Sequence, residues 1–295
     1  MKFFDSHAHL DDEKFNEDRE QLIGEIKKSG IDKFISAGYS LEGSKKGIEL
    51  ASKYDFIYTT SGISPNDIPQ TEEELWIILK EIEKMAQENK KVVAIGEIGL
   101  DYYWEKEEKM RKLQKIAFIE QIKIANKIDL PIVIHTREAV MDTIQILKEN
   151  HVENHGVFHC CPLNRELVKE ALKLGFYISF AGPITFKNSK NANEIIEMVP
   201  NDKILIETDS PYLAPEPVRG TRNNPINVKY IAQKVADVKK MSLEEVAKMT
   251  YENAEKIFNL KWFWGRDFGV VILGSWFWGR RQKSWVSLEL LCQIY

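Results

Sequence analysis

The sequence predicts an α/β fold, a (β/α)8 TIM barrel. Three observations point to it. Short β-rich apolar runs alternate with longer stretches of helical periodicity. Eight such runs fall within about 260 residues, the span of a typical barrel of this kind. Several runs are continuously apolar, as parallel strands covered on both faces must be. A doubly wound open sheet is the alternative, because strand number alone does not establish closure.

The runs come in order as KFFDSHAH, DKFISAG, FIYTTSGI, VVAIGEIGL, LPIVIHT, GVFHC, FYISFAG and KILIETDSP. Between them lie EDREQLIGEIKKSG, LEGSKKGIELASKY, TEEELWIILKEIEKMAQENKK and REAVMDTIQILKENH, each with apolar positions at helical spacing and a charged opposite face. Residues 261–295 break the pattern. They hold five of the seven tryptophans, and WFWGR at Trp262–Arg266 recurs at Trp276–Arg280. Two copies are too few for a repeat fold. We therefore expect a barrel domain over residues 1–260 and an atypical Trp-rich extension over 261–295 that is not part of it. That extension lacks the amphipathic period of a membrane-surface helix.

Composition narrows the function. The chain has 295 residues, is 43% hydrophobic and carries a net charge of −4, so no global basic field invites nucleic acid. The last 35 residues are basic, which leaves the body more acidic still. A phosphate-binding protein of this charge needs local basic groups or metal ions. The three cysteines, two of them adjacent, are no disulfide framework and fit a reducing compartment. Charges at Asp5, Asp11, Asp12 and Glu13 leave no room for a signal-peptide core. The longest apolar stretch, FGVVILGSWFWG, is short of the ~20 residues of a membrane helix. The expectation is a cytoplasmic protein with no membrane span and no obligate protein partner.

Acids and imidazoles gather at the ends of the strand runs. Residues i and i+2 of a strand face one way, so Phe3, Asp5, His7 and His9 are expected on one side of the first strand. Glu97 ends the fourth run, His135 the fifth, His159 the sixth and Asp209 the eighth. The carboxyl ends of the strands are where barrel active sites are built. Four of the six histidines occupy these positions; His151 and His155 lie in a polar connection. Taken singly, each is more often a structural residue with a satisfied partner. Jointly they could hold two divalent ions with Glu97 bridging. Mixed nitrogen and oxygen donors suit zinc, manganese or iron, and magnesium less well.

The blocks DSHAHLD, GEIGLDYY, PIVIHTRE, GVFHC, ETDSPYLAP and RGTRNNP, in this order, resemble those of the TatD family of metal-dependent deoxyribonucleases, a branch of the amidohydrolase-like barrels. The resemblance covers residues 1–260. It implies a binuclear metal site, DNA as substrate and hydrolysis of its phosphodiester bonds by water that the metal activates. Carried over by motif, the metal ligands are His7, His9, Glu97, His135, His159 and Asp209, and Glu207 with Asp209 form the acid/base pair. Two departures bear on the substrate pocket. Ser64 stands where many relatives have histidine, and His159 is followed by Cys160-Cys161-Pro162 where many have FSG.

Glu207 and Asp209, two residues apart on the eighth strand, are expected to face the barrel mouth together. Arg137, just past His135, and Arg222, in the loop after strand eight, are the expected phosphate contacts, since guanidinium recognises phosphate in bidentate fashion. Tyr102, Tyr103 and Trp104 either stack on bases or pack the loop. Asp101 either orients a ligand histidine or caps the segment after it. Two other functions compete: metal-dependent hydrolysis of an amide or ester, and non-catalytic metal or nucleic-acid binding.

Overall fold

The computed structural model describes residues 1–260, so the Trp-rich segment 261–295 lies outside the described residues. Eight strands follow the expected runs: β1 (Phe3–Ala8), β2 (Ile31–Ser36), β3 (Ile57–Ser61), β4 (Val92–Asp101), β5 (Ile132–Arg137), β6 (Gly156–Phe158), β7 (Tyr177–Phe180) and β8 (Ile204–Ile206). They form one parallel sheet in sequential order. Between them run α1 (Arg19–Lys28), α2 (Leu41–Lys53), α3 (Glu72–Glu88), α4 (Glu108–Ile128), α5 (Val140–Glu149), α6 (Arg165–Lys173) and α7 (Ala192–Met198), and α8 (Val228–Lys239) and α9 (Leu243–Ile257) follow β8. No helix among the described residues is long and apolar enough to cross a membrane.

The period-2 alternation of the strands sorts their side chains into two layers. Phe4, Ile35, Val93, Val133, Val157, Tyr177 and Leu205 fill the barrel interior, and Phe258 and Leu260 beyond α9 plug its lower end. Their sequence neighbours Phe3, Phe34, Ile132, Phe158, Ile204 and Ile206 pack outward against the helices. The helices carry their own stop and start signals. Ser40 and Thr71 accept from backbone N–H groups of α2 and α3, and Ser242 with Glu245 forms a capping box on α9.

The segment just past the last strand meets the first strand and its end through hydrogen bonds that also set the site. The Asp209 N–H donates to the His7 carbonyl at 2.9 Å, and the His9 N–H donates to the Ser210 carbonyl at 2.7 Å. Below them, buried Asp5 accepts from Thr208 N–H at 2.9 Å and from Thr208 Oγ1 at 2.6 Å. Burial, against these hydrogen bonds, pushes the Asp5 carboxyl up to about 8. Ser6 Oγ donates to the Ile206 carbonyl at 3.0 Å.

Two expectations about strand geometry need correction. Phe3 does not share a side with His7: it belongs to the outer layer, and the β1–β2 register slips between Asp5 and Ala8. Such a slip resets the alternation and re-aims the side chains beyond it. Glu97 does not end its strand. It lies inside the ten-residue β4, which continues to Asp101 because Ile98–Asp101 pair with Ile134–Arg137 of β5. The β4–β5 register breaks between Ile95 and Ile98, and that irregularity aims Glu97 into the barrel.

Gly99 makes this pairing possible. Its φ is +138°, and a Cβ there would lie 2.0 Å from the His135 carbonyl oxygen. Gly99→Ala is expected to cost roughly 2–4 kcal/mol, seen as a lower urea midpoint. Gly24→Ala, on exposed α1 with nothing within 4 Å of its added Cβ, is expected to stabilise by about 1 kcal/mol. Equal midpoints for the two variants would show that β4 does not depend on this close approach.

Candidate metal centre

The upper end of the barrel holds a cavity of about 380 Å³. His9, Glu97, His135, His159 and Asp209 line it, together with Asp12, Tyr39, Ser64, Asn66, Asp67, Trp104 and Tyr212. All six expected ligands meet here, with His7 beneath them and fully buried.

Glu97 organises the cluster by dividing its two oxygens. Oε2 lies 3.3 Å from His7 Nε2 and 3.6 Å from His9 Nε2. Oε1 lies 2.8 Å from His135 Nδ1 and 3.2 Å from His159 Nε2. Asp209 Oδ1 completes the first side at 3.4 Å from His9 Nε2. Burial opposes the Glu97 charge, but the imidazoles of His159, His135 and His7 outweigh it and hold the carboxyl well below its ordinary range. Burial likewise opposes the Asp209 charge, and His9 and His159 overcome it and keep that carboxyl low. Burial disfavours charging of His159, yet Glu97 and Glu207 hold it well above the ordinary imidazole range. Burial is not offset at His7, which is pushed down.

The ring nitrogens turned away from the centre explain those turned toward it. His9 Nδ1 donates to the Ala37 carbonyl at 3.2 Å, an atom that can only accept, so Nε2 is the nitrogen turned toward the cluster. His135 Nε2 faces Asp101 Oδ2 at 3.1 Å, which leaves Nδ1 for the centre. His159 Nδ1 faces Glu207 Oε1 at 3.4 Å. Two of the rings, those of His9 and His135, are thus held by a hydrogen-bonded oxygen behind them, the arrangement that fixes tautomer and aim in metal-ligating histidines.

This donor set fits divalent metal. Three groups of ligand atoms lie within 4.8 Å of one another: His7, His9 and Glu97; Glu97, His135 and His159; and His7, His159 and Asp209. The Nε2 atoms of His7 and His9 face each other at 3.3 Å in a buried site. Lone pairs converging at this spacing repel unless a proton or a cation lies between them. The first two groups share only Glu97, one oxygen each, so the residues suit a pair of ions with Glu97 between them.

The other expected site residues are placed differently. Glu207 and Asp209 do not alternate on a strand, because β8 ends at Ile206 and both lie beyond it. Asp209 is left-handed, with φ 54°, which turns its carboxylate toward the cavity. Glu207 is fully buried behind His159, where Oε1 also accepts from the Cys160 N–H at 2.6 Å, and it does not line the cavity. Arg137 is exposed and stacks on Tyr103, 3.9 Å from the ring centroid. Arg222 is not free for phosphate: its guanidinium forms a fork with Asp18, donates to the Lys14 carbonyl and covers the Phe15 ring. Ser64 donates to Asp67 Oδ2 at 2.8 Å.

Sequence reasoning left Asp101 between two roles, and it fills both. Oδ2 holds His135, while Oδ1 accepts from the N–H groups of Tyr103 at 2.9 Å and Trp104 at 3.1 Å. Its spacing from Glu97, four residues along one strand, was the available signal. Asp12, Asn66, Asp67 and Tyr212 carried none, since they reach the cavity from loops far apart in the chain.

Comparison with known proteins agrees with this geometry. The family model described as TatD related DNase matches residues 4–259. The chain is similar to the uncharacterized metal-dependent hydrolase YabD of Bacillus subtilis, 43% identical over 87% of this chain and 99% of the relative. It is 36% identical to the uncharacterized metal-dependent hydrolase YcfH of Escherichia coli K12, over 88% of this chain and 97% of the relative. Its fold matches that of YjjV, a TatD homolog from Escherichia coli K12, with a TM-score of 0.81 and 25% identity over 87% of this chain and 98% of that one.

Asp101→Ala should loosen His135 without touching the cluster's other donors. Metal affinity, measured by titration of the metal-free protein, is expected to fall about 10–100-fold. An unchanged affinity would show that the carboxylate behind His135 does not aim it.

Proposed function

The chain belongs to the TatD-related DNase family, and on that premise we propose that it is a metal-dependent hydrolase that cleaves the phosphodiester bonds of DNA. The observation that carries this reading is the convergence of four imidazoles on the two oxygens of Glu97 at the barrel mouth, with Asp209 beside His9. When bound, divalent ions would neutralise charge on a phosphodiester and lower the pKa of water.

The side chains supply the rest. His7, His9 and Glu97, with Asp209 beside His9, would hold one ion, and Glu97, His135 and His159 another. Asp209 is the group for proton transfer. It faces the cavity, it is ionised, and His9 engages Oδ1, which leaves Oδ2 to accept a proton from attacking water. Glu207, fully buried, positions His159 instead of meeting substrate. Arg137, exposed and stacked on Tyr103, is the proposed contact for a phosphate oxygen.

A second reading is hydrolysis of an uncharged amide or ester. It is favoured by one observation: among the described residues lining the cavity there is no Lys or Arg, and Asp12 and Asp67 are present. The test is a panel of end-labelled DNA strands, carboxylic esters and amides, assayed with and without added Mg²⁺, Mn²⁺ and Zn²⁺. Metal-dependent DNA cleavage without ester or amide turnover supports the first reading, and the reverse supports the second.

Asp209→Asn is nearly isosteric but cannot take the proton. Single-turnover cleavage is expected to fall about 10²–10⁴-fold. Binding of an uncleaved strand should change far less. Near wild-type cleavage would remove Asp209 from the reaction.

A further inference from the structure

Three exposed aromatic rings stand at or beside the cavity: Trp104 and Tyr212 line it, and Tyr103 lies against Trp104. Two of them already hold a cation against a face. Arg137 lies 3.9 Å from the Tyr103 centroid, and Lys14 lies 4.1 Å from that of Tyr212. Trp104 differs. It is 66% exposed, and the cation nearest its ring among the described residues, Arg137, lies at 5.7 Å. Exposing so much apolar ring is unfavourable unless something covers it.

Its position is nevertheless well determined. The Trp104 N–H donates to Asp101 Oδ1, and the other oxygen of that carboxylate holds His135 of the metal centre. The loop is closed around it by Arg111, whose Nε donates to the Glu105 carbonyl at 3.0 Å and whose Nη2 donates to that of Tyr102 at 3.2 Å. The Tyr102 hydroxyl donates to Asp142 at 2.6 Å. Tyr103 meets Trp104 in a T-shaped contact, at 4.8 Å and 84°, and so braces the indole, which stays 66% exposed. One carboxylate therefore ties a chemically open indole to the centre, and the indole borders the cavity itself.

We propose that Trp104 is the stacking platform for the nucleobase next to the scissile phosphate, with Arg137 beside it taking that nucleotide's phosphate oxygen. This deepens the nuclease reading and rests on it. The assignment follows from chemistry side by side: a planar π face for a planar ring, and a guanidinium for its attached anion. Trp104 then acts in binding, since it stacks on whichever base is present and does not touch the reacting atoms. Arg137 reads the phosphate whatever base it carries.

The test uses the full chain and short single strands with either 2-aminopurine or an abasic residue beside the labelled phosphodiester. Trp104→Ala is expected to raise KM about 5- to 100-fold on the base-bearing strand with kcat little changed. It should have no effect on the abasic strand, and Trp104→Phe should recover most of the loss. Arg137→Ala should weaken both strands alike. In an Asp209→Asn background, where the strand stays whole, 2-aminopurine fluorescence should be quenched on binding, and Trp104→Ala should abolish the quench. Equal loss on base-bearing and abasic strands, or no loss on either, would overturn the platform while leaving the nuclease reading intact. Trp104-dependent quenching without any DNA cleavage by the unsubstituted protein would support the platform and sink the nuclease reading. Absence of both quenching and cleavage would overturn both.

Discussion

A single buried carboxylate, Glu97, faces four imidazoles, and the rest of the site is arranged around that meeting. A charge so buried is tolerated only with partners on every side. Each Glu97 oxygen has two imidazole nitrogens within 3.6 Å. These donors come from β1, β5 and the end of β6, so the carboxylate can be satisfied only if the sheet has curled into a barrel. Closure and chemistry are thus one constraint. The hydrogen bonds between His7 and Asp209, and between His9 and Ser210, bring the two ends of the sheet together and seat the ligands in the same step.

Support for the ligands comes from directly behind them. Ala37, Asp101 and Glu207 each present an oxygen to the far nitrogen of a histidine. At His9 and His135 the hydrogen bond sets which nitrogen meets the centre, and it explains why His135 presents Nδ1 while His9 presents Nε2. Asp101 extends the same logic outward. Through it the geometry of the centre reaches the β4–α4 loop and the aromatic rim. A shift of this loop would be felt at His135, and a shift of His135 at the rim.

Much of this was legible in the residues. The alternation of apolar runs with helical periods marked all eight strands, because parallel strands buried on both faces leave an unbroken apolar trace. His7 and His9 were legible as a pair, since their spacing holds them together even after the register slip resets the strand. Other features were hidden by geometry that sequence does not encode locally. Glu97 read as a strand end, but the strand runs on through a register break and the close approach at Gly99. Glu207 and Asp209 read as neighbours on one face, but a left-handed residue beyond the strand separates them into a cavity-facing acid and a buried support. Arg222 read as a phosphate contact, but Asp18, far away in the chain, takes its fork. Pairings of that kind depend on which loops meet, and no local pattern announces them.

The proposed role of Glu97 as the residue shared by two metal positions is tested most directly by metal content. Elemental analysis of the purified protein, after saturation with a divalent metal and removal of excess, should give two ions per chain. Glu97→Gln keeps the size of the side chain and removes its charge and one of its acceptor oxygens. Both positions share that residue, so both should empty together while the barrel still unfolds cooperatively. A folded Glu97→Gln variant that keeps its full complement of metal would contradict the account.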